Sequence, residues 1–257
     1  MEKNFFEWVM FFFQSNWQQF LLGTATTLLV SLSGTIIGFF LGLGVSLIQY
    51  TKTDDKSSTL FKGFIKFLKI LISIYITIFR GTPMIVQAMV IFYGLPQLIG
   101  LNLDPLPAAL LIVSINTGAY MAEMIRGGVD SVDPGQLEGA QAIGMSHFQA
   151  MISIIFPQAV RNVLPSIGNE FIINIKDTSV LNVIGVTELF FTSKSIAGSY
   201  AKYYEVFIIT SVIYLFLTFT ISLILKSIEK KIDGPKNFEI LPLQDGNNVV
   251  IKKEKGV

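Results

Sequence analysis

Long apolar runs dominate this sequence, and its charged residues are concentrated in the short segments between them. The run from about Gln18 to Ile48 and the run from Val206 to Leu225 are two examples. The hydrocarbon core of a bilayer is about 30 Å thick, which a helix crosses with about 20 apolar residues. Only 14% of the 257 residues are charged. The chain is therefore predicted to be an all-α membrane protein with several spans.

The positions of the apolar runs predict about five transmembrane helices. They cover approximately residues 18–48, 84–99, 108–125, 159–175 and 206–225. Residues 1–17 are rich in aromatic side chains, including Trp8 and Trp17, which predicts an N-terminal segment lying at the membrane interface. The predicted division is thus an interfacial segment 1–17, a transmembrane domain 18–226 and a tail 227–257. Between the last two spans, residues 176–205 are expected to form a re-entrant or surface segment.

Residues 60–79 are ambiguous, because they combine an apolar character with three lysines. Lys62, Lys66 and Lys69 share one helical face. A basic stripe on an otherwise apolar helix favours an elbow along the cytoplasmic membrane surface. A crossing helix is the alternative. The following Arg80-Gly81-Thr82-Pro83 predicts a helix start, with Thr82 as N-cap and Pro83 at the first helical position.

Three glycines in the first span recur every four residues. Gly34, Gly38 and Gly42 therefore lie on one helical face. Small side chains on one face allow another membrane helix to approach closely. This face is predicted to be a helix-packing surface.

Several function classes are excluded by residues that the sequence lacks. It has no cysteine and a single histidine, His147, which argues against a thiolate or transition-metal site. It also lacks the Gly-x-x-x-x-Gly-Lys-Ser/Thr loop that cradles ATP phosphates. No half-length repeat typical of secondary transporters is visible. No cofactor is expected in this chain, and no nucleic acid is expected as a partner.

The orientation follows from the distribution of lysines. From Lys226 onward the chain has seven lysines and five acidic residues, so the C-terminus is predicted to be cytoplasmic. Five spans then place the N-terminus outside. The loop at residues 127–158 is predicted to lie on the cytoplasmic side as well.

That loop contains a spaced set of small and charged residues. Glu138-Gly139-Ala140 is followed after three residues by Gly144 and after nine more by Ile154-Ile155-Phe156-Pro157. Gly144 can adopt the left-handed conformation that ends a helix, and Ser146 can cap the next one. We expect two short helices joined by a sharp turn, with Pro157 ending the second before the fourth span.

This spacing resembles the EAA loop of ABC importer permeases, Glu-Ala-Ala, three residues, Gly, nine residues, Ile-x-Leu-Pro. Gly139 replaces the first alanine and Phe156 replaces the leucine. Over about residues 23–226 the chain also resembles the polar amino-acid branch of type I importers. The segments that carry this second resemblance are Phe79 to Pro83, Ala119 to Gly128 and Lys176 to Ser179.

The resemblance implies a transport subunit, not an enzyme. It implies a permease in a bacterial plasma membrane that passes a polar amino acid by alternating access, in contact with membrane lipid. It also implies an ABC ATPase dimer carrying ATP and Mg²⁺, a second permease chain, identical or homologous, and an extracytoplasmic amino-acid-binding protein. Residues expected to contact the ATPase are Glu138, Gly139, Ala140, Gly144 and Pro157.

Polar residues within spans are costly and are therefore candidates for the transport pathway. They are Gln87, Asn116, Asn169, Glu170 and Asn174. Glu170 lies about 15 Å along its helix from the cytoplasmic end, close to mid-membrane. Asn174 shares its helical face, so the two could present an acceptor and a donor to an amino acid. The alternative is that these polar residues bond neighbouring helices.

Glu123 and Arg126, three residues apart, are predicted to form an ion pair.

Overall fold

The computed structural model describes residues 4–51, 58–233, 238–240 and 251–253. Nearly all of its regular structure is helical. The helices are α1 Phe5–Tyr50, α2 Thr59–Gly81, α3 Met84–Ile99, α4 Pro105–Asp130, α5 Pro134–Ala142, α6 His147–Ala150, α7 Phe156–Asp177, α8 Leu189–Tyr200 and α9 Tyr203–Asp233. A π-helical turn, Met151–Ile155, precedes α7, and a 3₁₀ segment, Thr178–Ile184, follows it.

The tail contributes one short antiparallel strand pair. Strand β1, Phe238–Ile240, pairs with β2, Ile251–Lys253, so that Phe238 lies opposite Lys253. The remainder of the predicted tail after α9, residues 234–237, 241–250 and 254–257, lies outside the described residues. So does most of the polar segment before α2, residues 52–57.

The described helices include four stretches long and apolar enough to cross a membrane. They are Phe5–Tyr50, Pro105–Asp130, His147–Ile184 and Tyr203–Lys231, and α3 is a shorter apolar helix. Each contains or matches one of the five predicted spans. The predicted class of an all-α membrane protein with about five spans is confirmed.

Helix α1 runs through residue 17 without a break. It begins with a capping box, in which the Asn4 side chain accepts from the Glu7 N–H at 2.9 Å and the Glu7 carboxylate accepts from the Asn4 N–H at 2.8 Å. The predicted interfacial segment 1–17 is therefore not a separate element. At 46 residues the helix is about 69 Å long, well beyond one bilayer crossing. Its extra length includes the aromatic start, where Trp8 stacks on Phe12.

Helices α1 and α4 form the centre of the bundle and run parallel. Added side-chain carbons at Gly34, Gly38 and Gly42 would collide with Val113, Thr117 and Met121 respectively. The contacts follow the same order along both helices, which shows that α1 and α4 are parallel. Ser46 Oγ continues this series of contacts by donating to Ala122 O at 3.2 Å. The predicted packing role of the three glycines is confirmed.

Helices α2 and α3 pack in succession along α4, in the opposite direction. In α2, Ile72 and Ile76 pack on Ala122, and Tyr75 Oη donates to Ile115 O at 2.6 Å. In α3, Ala88 joins the core cluster around Ala109. The second half of α2 therefore belongs to the bundle, and the elbow prediction is wrong for that half, because the isoleucine stripe has a helical partner.

The break between α2 and α3 differs from its predicted form. Pro83 is the N-cap of α3, which begins at Met84, and makes no side-chain cap bond. The Thr82 hydroxyl turns back and donates to Ile78 O at 2.8 Å, at the end of α2. Thr82 is therefore not the cap of α3, because its hydroxyl bonds the preceding helix.

After α7 the chain forms two short elements before the last long helix. The 3₁₀ segment ends at Gly185, whose φ of 84° is left-handed. Helix α8 has 12 residues, too few to cross a bilayer. This agrees with the prediction that residues 176–205 contain no further span. Glu188, fully buried, caps α8 by accepting from the N–H groups of Phe190 and Phe191.

Candidate functional site

The loop at residues 127–158 forms the predicted pair of short helices. The first, α5, begins at Pro134 rather than at Glu138, because Asp133 caps it: Asp133 Oδ1 accepts from the Gly135 N–H at 2.7 Å. Proline at the first position fixes the helical φ and lacks an N–H that would have no partner there. The signal was available in the sequence as Asp133-Pro134.

The sharp turn occurs at Gly144, as predicted. Its φ is 90°, a region that glycine enters without steric cost. The Met145 N–H donates to Ala140 O at 3.1 Å and closes the end of α5. Ser146 then caps α6 in a reciprocal box with Gln149. The turn is thus held by bonds on both sides.

Pro157 does not end the second helix, and that prediction is wrong. Helix α6, the π-helical turn and α7 follow one another without a gap from His147 to Asp177. A proline ring within a helix collides with the carbonyl of the preceding turn. The wider π-helical turn ends at Ile155, two residues before Pro157, so the proline ring follows a stretch in which the helical backbone is already widened. The loop is therefore joined to α7 by continuous helix.

The exposed surface of the loop differs in part from the predicted contact set. Glu138, Gly139, Gly144 and Pro157 are exposed, and a side chain added at Gly139 would meet nothing within 4 Å. Ala140 instead is 3% exposed and packs inside the chain. A partner could reach the first four but not Ala140.

Two large apolar side chains protrude on either side of the turn. Ile143 is 78% exposed and Phe148 is 60% exposed. Sequence reasoning missed both as contact residues. The available signal was their position next to Gly144, in a segment predicted to lie in water, where an apolar side chain has no packing role of its own.

The second short helix is bonded to the end of α1. His147 Nε2 lies 3.1 Å from Tyr50 O. Since a carbonyl oxygen only accepts, this nitrogen carries the proton in the bond. The hydroxyl of the same tyrosine donates to Asp130 Oδ1 at 2.6 Å. Helices α1, α4 and α6 are thus tied together at one end of the bundle.

A chain of ion pairs continues from this junction along α4. Arg126 bonds Asp130 at 3.2 Å and Glu123 at 3.0 Å. Glu123 also forms an ion pair with Arg80, at the end of α2, at 3.1 Å. The predicted pair of Glu123 and Arg126 is confirmed, and the structure extends it to four residues that connect the loop region with the α2–α3 break.

Two of the pathway candidates, Gln87 and Asn116, bond each other. Asn116 Nδ2 donates to Gln87 Oε1 at 2.8 Å. Gln87 Nε2 donates to Phe79 O and Thr82 O at 2.9 and 2.8 Å. These carbonyls lie where the backbone bonding of α2 ends, so the two amides hold the break closed.

Asn174, a third candidate, joins three helices. Its amide nitrogen donates to Thr35 Oγ1 at 2.8 Å and to Thr117 Oγ1 at 3.0 Å. Both donor positions of the amide are thereby used, as the helix-bonding alternative anticipated. Asn174 is 2% exposed.

The remaining candidates, Asn169 and Glu170, are adjacent but differ in exposure. Asn169 is exposed on the surface of α7. Glu170 is 4% exposed, although it is acidic and lies in a membrane-spanning stretch. A buried carboxyl group in such a position is a candidate pathway residue. Its role stays a prediction.

Comparison with known proteins agrees with this architecture. Residues 60–234 match the family described as "Binding-protein-dependent transport system inner membrane component". The arginine transport system permease protein of Bacillus subtilis is 35% identical over 210 residues, covering 82% of this chain and 90% of that protein. The glutamine transport system permease protein of Escherichia coli is 37% identical, covering 81% and 90%.

Solved structures share the fold. A crystal structure of an amino acid ABC transporter with histidines matches with a TM-score of 0.76 and 35% identity, over 90% of this chain and all of that one. The methionine ABC transporter MetNI in an inward-facing form has the same fold, with a TM-score of 0.67 at 17% identity. The chain belongs to the family of binding-protein-dependent transport system inner membrane components, the permease subunits of ABC importers.

Proposed function

We propose that this chain is the permease subunit of an ABC importer for a polar amino acid and that separate ATPase subunits drive it through the loop at residues 127–158. The observation that carries the proposal is the form of that loop. It presents Ile143 and Phe148 on either side of the Gly144 turn, and it joins α7 without a break. A force applied to the turn would therefore reach a membrane-spanning helix directly.

The cargo class is supported by the transport systems to which the related permeases belong. Their names refer to arginine, glutamine and nopaline transport, at 35%, 37% and 36% identity. The first two cargoes are amino acids, and their side chains differ in charge. A polar amino acid is therefore the proposed class, and Glu170 and Asn169 are the remaining candidates on α7 for contact with it.

The loop at residues 127–158, here called the coupling loop, occurs once in the chain, and the proposed assembly follows from this. Two ATPases would meet two permease chains, either two copies of this one or this chain and a homologue. ATP and Mg²⁺ would bind the ATPases, and this chain would hold no cofactor. An extracytoplasmic binding protein would deliver the amino acid.

The coupling loop and the C-terminus would lie in the cytoplasm and the N-terminus outside, in a bacterial plasma membrane.

The test is coupled ATP hydrolysis in proteoliposomes. The chain is reconstituted with its ATPase and its binding protein, and hydrolysis is measured with each polar amino acid in turn. At least one amino acid is expected to stimulate hydrolysis and to accumulate inside. If an amino acid is transported without any dependence on ATP, the chain works as a channel or a secondary carrier and the proposal fails.

A loop variant tests the ATPase contact itself. Ile143→Glu places a charge where an apolar side chain is 78% exposed, so we expect at least about tenfold weaker ATPase binding, a loss of about 1.4 kcal/mol. Folding should be unaffected because the side chain has little packing to lose. Binding is measured by pull-down of the ATPase from detergent solution. Gln141→Glu adds the same charge nearby and serves as the control.

A backbone variant at the turn separates binding from coupling. Gly144→Trp introduces a side chain at a φ of 90°, which L residues rarely adopt, and should uncouple hydrolysis from uptake while the protein remains in the membrane. Gly144→Asn, which tolerates left-handed conformations better, should retain part of the coupling. Normal uptake by the tryptophan variant would contradict the proposed role of the turn.

A further inference from the structure

Helix α2 has three faces of different character. One face is buried in the bundle and consists of Ile65, Ile72 and Ile76, with relative exposures of 7–9%. Ile72 and Ile76 pack against Ala122 of α4 and against Val45 and Ile48 near the end of α1. Of the other two faces, one is exposed and the other is exposed or partly exposed, and they differ in chemistry, one being apolar and the other basic.

The first exposed face is entirely apolar. Its residues recur every three or four positions and are 45–87% exposed; they are Leu60, Phe64, Phe67, Leu71, Ile74 and Ile78. A stripe of this length on a membrane protein is suited to contact with lipid chains.

The second exposed face is polar and basic. It has the same helical spacing and consists of Lys62, Lys66, Lys69, Ser73, Thr77 and Arg80. With about 100° per residue, the centres of the two exposed faces are about 140° apart on the helix. Lysines at the edge of a lipid-facing stripe could extend to the headgroups, but these lie on the far side of the helix from it.

The basic face reaches the depth of the membrane-spanning helices. Arg80, at its end, pairs with Glu123 and lies 5.7 Å from the centre of the Tyr120 ring, both on α4. At its start, a groove of about 340 Å³ is lined by Lys66, Lys69 and Ser73 among others. Lys66, Ser73, Thr77 and Arg80 are exposed, whereas Lys69 is half-buried and its Nζ donates to Thr51 O, at the end of α1, at 2.9 Å. Most of the face is therefore open, and through Arg80 it continues onto α4.

The α4 side of this surface is also polar and partly exposed. Glu123 has 22% of its side chain exposed and Arg126 has 48%. Ionisable groups at membrane depth are stable where they face one another or a water-filled cavity. Since the apolar face occupies the lipid side, water is the environment that suits the basic face.

We propose that the basic face of α2, from Lys66 through Ser73 and Thr77 to Arg80, is a wall of a water-filled vestibule whose positive charge favours anionic and zwitterionic solutes over cationic ones. The described residues of this wall and the adjoining part of α4 include four basic side chains, Lys66, Lys69, Arg80 and Arg126, and two acidic ones, Glu123 and Asp130. A cleft lined mainly by one sign of charge raises the local concentration of the opposite sign. The inference deepens the proposed transport function and rests on it.

The natural absence of cysteine makes the vestibule directly testable. Ser73→Cys and Thr77→Cys are made separately in the full chain, reconstituted with its ATPase. Each is treated with an anionic methanethiosulfonate, the ethylsulfonate, and with a cationic one, the ethyltrimethylammonium. Both positions are expected to react with the water-soluble reagents. Leu71→Cys and Ile74→Cys, on the apolar face, are the controls and should react at least about tenfold more slowly.

The charge preference is read from the ratio of the two reaction rates. After each rate is divided by that of the same reagent with free cysteine, the anionic reagent should be favoured by about tenfold at Ser73→Cys. Adding Lys66→Gln and Lys69→Gln should reduce that preference by several-fold. Lys230→Gln with Lys231→Gln removes the same charge from α9 and should leave the ratio unchanged.

Two results would overturn the inference. The first is that the cysteines at positions 73 and 77 react no faster than those at 71 and 74. The second is that the rate ratio shows no preference for the anion or responds equally to the lysines of α9. Either result in a preparation that still couples hydrolysis to amino-acid uptake would reject the vestibule while the proposed function stands. Loss of coupling in the unmodified chain would instead reject the function.

Discussion

At the scale of single residues, three buried amides form hydrogen bonds to backbone carbonyls or to neighbouring helices. Polar residues within spans were predicted to mark the pathway, and the sequence identified Gln87, Asn116 and Asn174 on that basis. The structure shows each of them bonded to backbone or to other helices. The sequence could show that these groups need a partner, because an unpaired amide in hydrocarbon is costly. It could not show which partner, since Thr35 and Asn174 are 139 positions apart.

Asn174 and Asn169 provide a matched comparison of a bonding and an exposed amide on one helix. Asn174→Leu removes two hydrogen bonds that join α7 to α1 and α4, so we expect it to lower stability by about 1–2 kcal/mol. Asn169→Leu should change stability by less than about 0.5 kcal/mol. Both are measured as the unfolding free energy in mixed detergent. Equal effects of the two variants would contradict the bonding role of Asn174.

At the scale of elements, the sequence was most reliable where a pattern recurs on one helical face. The small-residue stripe of α1 was predicted correctly, because glycine spacing alone defines a face onto which a helix can pack. Two elements were not predicted. The first is the continuous helix through Pro157. It depends on the π-helical turn Met151–Ile155, which no residue pattern in that segment predicts. The second is the position of α2, which lies in the bundle because Ile72 and Ile76 pack against Ala122. The sequence did not indicate this contact, since Ala122 is distant along the chain.

The α1–α4 contact is tested by enlarging one glycine of the stripe. Gly38→Leu would force side-chain atoms against the Thr117 side chain and the Gly118 backbone, so we expect a loss of about 1–3 kcal/mol or failure to accumulate in the membrane. Gly44→Leu is the control on the same helix, since an added side chain there meets nothing within 4 Å. The thermal midpoint in detergent and the amount in the membrane are measured. A stable Gly38→Leu variant would show that the two helices do not require this close approach.

At the scale of the whole molecule, the contacts define two ends of the bundle. At one end, Tyr50 meets Asp130 and His147, so the end of α1 lies beside the coupling loop. At the other end, Lys202 lies 5.4 Å from the Trp8 ring, so the start of α1 lies beside the start of α9. The sequence predicted which of these ends is cytoplasmic from the lysines of the tail. The structure adds that direct contacts hold the described elements together at each end, so the orientation of one element determines the side on which both ends lie.

This arrangement makes the orientation testable with two single cysteines in the cysteine-free chain. Ser199→Cys lies on the exposed surface near the Trp8 end, and Gln141→Cys lies on the exposed surface of α5 at the other end. With the N-terminus outside, a membrane-impermeant thiol reagent added to intact cells should modify the first and leave the second unmodified until the cells are broken. The opposite pattern would invert the topology and place the coupling loop outside, where ATP is scarce and the proposed ATPase contact could not form. Modification of both in intact cells would show that the two ends do not lie on opposite sides of the membrane, against the path of α1 through the bundle. Since α1 and α4 are parallel and both end at the coupling loop, the expected result would also fix the direction in which a force on Gly144 enters α7: from the cytoplasm, toward the membrane.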